Sequence, residues 1–581
     1  MAGLGEKDEP GLDRALADLL GRQSRLADLQ IQRLEAEQAQ AGRPAPPKTL
    51  AGRLKDATAL AASMAVVVSA LVVIAMAWNA SRDHGLVVES FSVPADLATR
   101  GLTGQVVARK VLDRLADLLA RSESIRAANS YGNDWGDDLK IELPRTGVSI
   151  GEARRALTAW LGHETRISGE VYRLGDTLTV TARAGESRIK DVLGSEAGLD
   201  DLLKATAEAI FERTQPYRYA IYLKFDGRYP AARGVLDALT RDRDPLERAW
   251  AHKGLATLAE TPDHDPVTYA RESRAALAQV ADFTPALENL EYAETALGHD
   301  HQARAAALAY LRAGDALRRQ VAPAQRDRLT IDVRLRQAEI EGDYGGAVAL
   351  ARRLTRMDVG GAQIDGRVAL PLALALDHDA AGARAAAADP RADRADGDLV
   401  AGLAALEDGD PQAVSLLTRA TAEAGQGRGG PVGAARAVRP WLALALARSG
   451  RASQALALIA ATPTDCYLCL WARGVIAGGD RRATLAWFAR AIDQAPDLPR
   501  AFVERGAARL AWGDVAGAGA DARRALAVGP RDPDAWKLLG DIWASRGQPR
   551  RARAAYQTAS RLAPGWAELR RILAAGPAAR G

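Results

Sequence analysis

The chain has 581 residues, 48% hydrophobic and 26% charged, which excludes a disordered chain and is too long for one core; about two to four domains are expected. Aromatics make up only 5% and the apolar stock is alanine and leucine, which excludes an all-β protein. A formal net charge of +4 over this length makes no basic stripe and argues against nucleic-acid binding.

Residues 1 to about 41 carry Leu12, Leu16, Leu19, Leu20, Leu26, Ile31 and Leu34 among alternating charges, the spacing of an amphipathic helix able to self-associate. Pro44-Ala-Pro-Pro47 ends it as a stiff linker. From Ala57 to Ser81 there is no charged residue, and residues 57–79 are expected to cross the roughly 30 Å hydrocarbon layer as one helix, with Trp78 at the interface. The 56 residues before it are too many for the basic end of a signal peptide. Arg43, Lys48, Arg53 and Lys55 precede the span and only Arg82 closely follows it, which puts residues 1–56 in the cytoplasm and the bulk of the chain outside. In a Gram-negative cell that bulk is periplasmic and the membrane is the inner one. Ala57, Ala61, Ala65 and Ser69 line one helix face; the stripe offers a homodimer contact, as does the N-terminal helix, although alanine is common throughout.

Residues 82–213 change period repeatedly. Leu86 to Val93 alternates as a strand, Leu102 to Leu119 has helical spacing, and Ser130 to Asp138 is polar and rich in turn residues. Lys140 to Leu143 reads as a strand, Ile150 to Leu161 as a helix, and Arg166–Tyr172 with Thr177–Ala182 as a hairpin turning at Gly175-Asp176. Leu199 to Phe211 is again helical, so the expected order βαβαββα describes a small α/β sandwich. Through Ile167-Ser-Gly-Glu-Val-Tyr-Arg-Leu-Gly-Asp-Thr-Leu-Thr-Val-Thr181 and the helix that follows, this region resembles the TolB amino-terminal-like domain found after the membrane helix of some bacterial sensors and regulators. In such relatives the cytoplasmic end carries a winged helix or a nucleotide cyclase; residues 1–56 have room for neither.

Beyond Tyr217 the expectation is helical hairpins, degenerate over 214–424 and regular over 432–581, clearest at 466–575. Gly474, Gly506 and Gly540 are spaced 32 and 34 apart, and Pro496, Pro530 and Pro564 are spaced 34 and 34. With Gly513, Ala518 and Ala525, then Gly547, Ala552, Tyr556 and Ala559, this resembles the tetratricopeptide repeat (TPR). The fold class is therefore mainly α: one transmembrane helix, a small α/β domain, then a superhelical solenoid of about nine to eleven hairpins. Gly425 to Pro431 reads as an insertion or flexible break between two blocks. Core is the first reading for Trp487, Phe488, Trp512 and Tyr556.

The resemblance implies a concave face lined by the first helix of each hairpin, where Trp471, Val475, Val503, Ala507, Lys537 and Asp541 would face a protein or peptide partner. Cys466 and Cys469 are the only cysteines; two small half-buried residues, a local disulfide and a redox pair are all open to them. His299-Asp-His301 reads as a solvated turn, and Asn133-Asp-Trp-Gly-Asp-Asp138 as a surface loop without the spaced oxygens of a calcium site. No P-loop, nucleophile elbow or zinc-protease motif occurs, so no metal, cofactor or enzymatic role is expected. The leading expectation is a membrane-anchored adaptor binding proteins outside the cytoplasm. The alternative is a sensor or regulator passing a periplasmic signal to a separate cytoplasmic protein, and the third class is an enzyme with an unrecognised site in 86–213.

Overall fold

The computed structural model describes residues 86–127, 131–133, 165–261, 263–313, 321–359, 361–389, 397–426 and 430–575. The N-terminal helix, the proline linker, the apolar segment 57–79, the strand at 140–143, the helix at 150–161 and residues 134–138 lie outside them. Among the described residues no helix is long and apolar enough to cross a membrane.

Strand β1 (Leu86–Val88) leads through α1 (Ala95–Thr99) and α2 (Gly104–Arg121) to β2 (Tyr131–Asn133), then β3 (Thr165–Leu174), β4 (Thr177–Ala184), β5 (Ser187–Arg188), β6 (Val192–Gly194) and α3 (Leu199–Thr214). The sheet runs β2-β1-β3-β4-β5, with β6 also on β4. β1 is parallel to both neighbours, Leu86 lying opposite Thr165, while β3 and β4 form the expected antiparallel hairpin. Val107, Val111 and Leu115 of α2 and Leu203, Ile210 and Phe211 of α3 share one core with Val88, Ile167, Leu178 and Val180. The expected strand to Val93 is cut short: pairing stops at Val88 and resumes at a single bridge from Ser92 to Glu170. Between them Phe91 turns inward against Gly169, where a Cβ would stand 2.3 Å from its ring. The stretch expected to be turns contains β2 instead, tied to the end of α3 by a 2.7 Å hydrogen bond between the Tyr131 and Thr214 hydroxyls.

From Pro216 onward the chain is hairpins of a first and a second helix: α4 (Pro216–Phe225) with α5 (Tyr229–Leu239), α6 (Pro245–Glu260) with α7 (Pro266–Gln279), α8 (Thr284–Ala296) with α9 (Asp300–Arg312), and α10 (Pro323–Ile340) with α11 (Tyr344–Leu354). Next come α12 (Ala362–Leu376) with α13 (Ala380–Ala387) and α14 (Gly397–Asp408) with α15 (Ala413–Gln426). A short α16 (Gly430–Gly433) and a π turn (Ala434–Val438) lead into α17 (Arg439–Arg448) with α18 (Ala452–Ala460). The last are α19 (Tyr467–Ile476) with α20 (Arg481–Gln494), α21 (Arg500–Ala511) with α22 (Val515–Val528), α23 (Pro533–Ser545) with α24 (Pro549–Leu562), and the closing α25 (Ala567–Ala574).

Aspartates cap many of these helices. Asp265, Asp480 and Asp532 each accept a first-turn backbone N–H and satisfy a donor the helix cannot. The periodic glycines serve close approach: a Cβ on Gly474 would stand 2.6 Å from the Phe488 ring, and one on Gly540 2.5 Å from Tyr556. Phe488 and Tyr556 are buried as expected, whereas Trp487 and Trp512 are half-buried, with arginines over their rings.

Two continuities depart from the expected partition. The sheet core runs on through Tyr217, Leu223, Leu236, Trp250 and Phe283, so the module and the first hairpins share one interior. Across residues 425–431, where a break is expected, Leu417 of α15 packs in one cluster with Leu442 and Leu446 of α17 and with Trp471 and Phe488.

The solenoid winds tightly enough for its turns to touch. The Tyr467 amide donates to the Gly298 carbonyl at 2.8 Å. His301 and Arg304 meet Asp497 at 2.7 and 2.9 Å, and Arg531 meets Asp343 at 2.7 Å. Turns of the earlier hairpins thus rest on connections between later ones, along a seam of mostly polar contacts.

Candidate functional site

The inner surface is closed at one end of the solenoid and open at the other. Near its start, residues Ser122 to Arg126, leaving α2, lie across the first helices. Buried Arg218 donates to the Ser122 hydroxyl at 2.8 Å and to the Arg126 carbonyl; Arg126 forms a two-pronged ion pair with Glu247, one arm at 2.9 Å, and sits over the Tyr217 and Trp250 rings. Ala322 donates to the Ile125 carbonyl at 2.8 Å and Arg126 bridges to Val321, so this strap is stitched to the repeats. Deeper in, Arg336 of α10 pairs with Asp332 at 2.6 Å and with Glu291 of α8, and its third neighbour is Glu288 at 3.6 Å. Burial pushes Glu291 up to about 7 against the pull of that guanidinium. Removing one partner of such a buried ion pair leaves an uncompensated charge, so these groups are held to one another.

Between α12 and α23 the first helices instead surround a lumen with an interior space of about 150 Å³ that opens to solvent. Its wall is Leu376, Leu403, Leu406 and Leu444, with Trp441, Trp471 and Tyr344 as aromatic panels. Arg500 stands among the panels, its guanidinium 5.1 Å from the Trp471 ring and 5.5 Å from Trp441, donating to the Tyr344 hydroxyl at 2.6 Å. Burial works against its charge, but the Tyr344 and Tyr467 oxygens and the Asp534 and Asp532 carboxylates hold its pKa above the usual value. Glu504 is pushed up by burial and by Asp534. The Trp471 indole N–H faces that carboxyl and pulls the other way. Apolar panels with a few convergent polar groups are the usual make-up of a binding concavity.

At the rim His378 contacts Glu407 at 3.0 Å and Asp534 at 3.2 Å and lies flat on Trp566, the ring centroids 3.7 Å apart. Although burial disfavours its charge, the two carboxylates push its pKa up to about 10. Its imidazolium in turn holds Asp534 below the usual range despite burial, while burial and Asp534 push Asp532 up.

Of the groove residues expected from the repeat pattern, Trp471, Val475 and Val503 line this lumen. Ala507 is exposed and is not part of the wall. Lys537 bridges Asp541 at 3.1 Å and Glu568 of α25 at 3.2 Å, and Asp541 accepts from Tyr556 at 2.7 Å; the closing helix therefore takes up the inner side of the last hairpin. The Cys466 and Cys469 sulfurs are joined at the start of α19, and a Cβ on Gly298 across the seam would meet Cys466. The expected solvated turn at His299 and His301 is a seam contact: His299 binds Glu294 at 2.7 Å and Asp465 at 3.5 Å, and His301 binds Asp497. Among the described residues no group of histidine, cysteine and carboxylate side chains is placed to hold a metal ion. The sequence pattern missed Arg500, Glu504, His378, Trp441 and Tyr344. The first two fall one helical turn apart on the inner side of a first helix, a signal that the repeat register carried.

The class of protein these features define is a helical-repeat solenoid of tetratricopeptide-like hairpins joined to a small sheet module. No family model and no curated protein matches the chain. Among solved structures it is similar to the crystal structure of the yeast Tom70, with 11% identity, a TM-score of 0.25, and 61% of this chain and 93% of that one covered. It is also similar to the APC/C hetero-tetramer Cut9-Hcn1, with 13% identity, a TM-score of 0.24, and coverage of 65% and 94%. Likeness at these scores carries no argument about what the chain binds, and the class rests on the hairpins themselves.

Proposed function

We propose that the protein is a scaffold anchored by residues 57–79 in the inner membrane, its bulk in the periplasm, and that the lumen between α12 and α23 captures a protein or peptide partner. The supporting observation is the make-up of the later inner surface: an apolar wall with the Trp441, Trp471 and Tyr344 rings around Arg500, where the strap and buried ion pairs line the earlier one. The sheet module is read as a TolB amino-terminal-like domain, and the N-terminal and membrane helices as homodimer contacts.

The test is site-specific photo-crosslinking in cells producing the full-length chain. A probe at Val475 or Val503 should give a discrete adduct that a probe at Ala507 does not. Equal labelling from all three positions would sink the reading.

A second reading, a relay to a separate cytoplasmic protein, draws support from the core shared by the sheet module and the first hairpins. Removing residues 1–45 should abolish the cellular function of a relay and spare that of a scaffold.

A further inference from the structure

We propose that His378 is a clasp: its side chain joins two successive turns of the solenoid, and its release lets the seam open and the lumen widen. The sequence position argues first. In the corresponding turns between paired helices the chain places Gly298, Gly342, Gly409 and Gly450, all at positive φ. His378 occupies the same kind of turn at φ 59°, a conformation that costs a side chain energy and glycine nothing. A residue kept there against that cost does something with its ring.

What the ring does is bridge. Glu407 belongs to the next hairpin, α14, whereas Asp534 starts α23 and Trp566 precedes α25; four complete hairpins separate His378 from Asp534 along the chain. One imidazole therefore stacks on and hydrogen-bonds to the far end of the solenoid, and it also forms part of the lumen wall. Its surroundings are acidic: Asp379, Asp343 and Asp534 all bear on Asp377, which is buried with one of its oxygens without a partner. Without a cation at 378 the two turns would present carboxylates to each other.

Several of the remaining seam contacts are half-exposed ion pairs that water can replace, unlike the alanine and leucine cores inside the hairpins; the apolar contact of Ile340 with Tyr467 and Leu498 is the exception. A solenoid built this way opens along its seam before its hairpins unfold. The proposal concerns the same lumen as the function proposed above, but its test uses no partner, so the two can fail separately.

The experiment is hydrogen–deuterium exchange with small-angle scattering on the full-length chain, comparing His378→Gly and Asp534→Asn with the parent. His378→Gly relaxes the turn, so a residue that only shapes the turn predicts unchanged or slower exchange. A clasp predicts exchange about tenfold faster at 530–536 and 563–567, a larger radius of gyration, and unchanged exchange in α4–α7. Asp534→Asn attacks the contact from the other side and should reproduce the pattern if the first variant misfolds. Unchanged exchange at 530–536 in a folded variant, or acceleration spread evenly over the whole solenoid, overturns the proposal.

Discussion

The rings of Tyr217 in α4 and Trp250 in α6 meet at 4.8 Å; Phe283, just before α8, continues the stack at 4.9 Å, the three spaced evenly along the sequence (217, 250, 283). All three are fully buried in the core that also holds the sheet. Trp250→Ala should cost about 3–5 kcal/mol. Because the core is shared, sheet and first hairpins should lose stability together in denaturant unfolding followed by β-sheet and helix signals. A sheet transition that stays in place would show two independent cores.

The strap gives a sharper, pairwise expectation. Arg126→Ala removes a two-pronged ion pair to Glu247 and contacts with two aromatic rings, and should cost about 1–3 kcal/mol. In a double-mutant cycle with Glu247→Ala the coupling should exceed about 0.5 kcal/mol. Additive losses would mean that the strap is held by its backbone alone.

Gly540→Ala sets two effects against each other. Alanine favours a helix interior by about 1 kcal/mol, but here its methyl would enter the Tyr556 ring, and overpacking costs about 1–3 kcal/mol. A net loss is expected, largest in α23 and α24, and relieved when Tyr556 is shortened to Leu. A stabilised single variant would show that the helix pair can separate without cost.

At the seam, burial pushes the Asp377 carboxyl up to about 7, with Asp379, Asp343 and Asp534 adding to it and the neighbouring His378 opposing. The folded state therefore holds a proton that the unfolded chain releases near pH 4, and stability falls as pH rises from about 4 through about 7. Asp377→Asn should remove that slope and raise stability above pH 7 by a few kcal/mol at most. His378 is shifted in the same direction but in a higher window: its contribution is fully present below about pH 6.5 and is lost as pH rises through about 10. Thermal melts between pH 4 and 10 of parent and Asp377→Asn measure both; parallel curves would mean that Asp377 titrates normally.

How much of this was legible follows from the range of each signal. Gly474 and Gly540 with their proline partners report contacts within a hairpin, so period and spacing reveal them. The Gly175-Asp176 turn and its two alternating runs are equally local. His299, His301 and His378 look like ordinary turn residues, because their partners Asp465, Asp497 and Asp534 lie 156 residues or more away. What brings them together is the small rotation of each hairpin on the last, summed over a full turn, which no short pattern encodes. The strap was hidden for a related reason: Ser122 to Arg126 has no periodicity of its own and borrows its conformation from Arg218 and Val321. For Lys537 and Asp541 the repeat pattern gives an inner position without knowing that α25 ends the array over them.

The parallel pairing of β1 with β3 also sets a height. Leu86 lies level with Thr165, at the foot of a ten-residue strand, and Gly175-Asp176 crowns the other end, about 30 Å away at the rise of an extended strand. The exposed Leu174 is thereby carried at the end of the sheet away from Leu86, like a lamp on a short post.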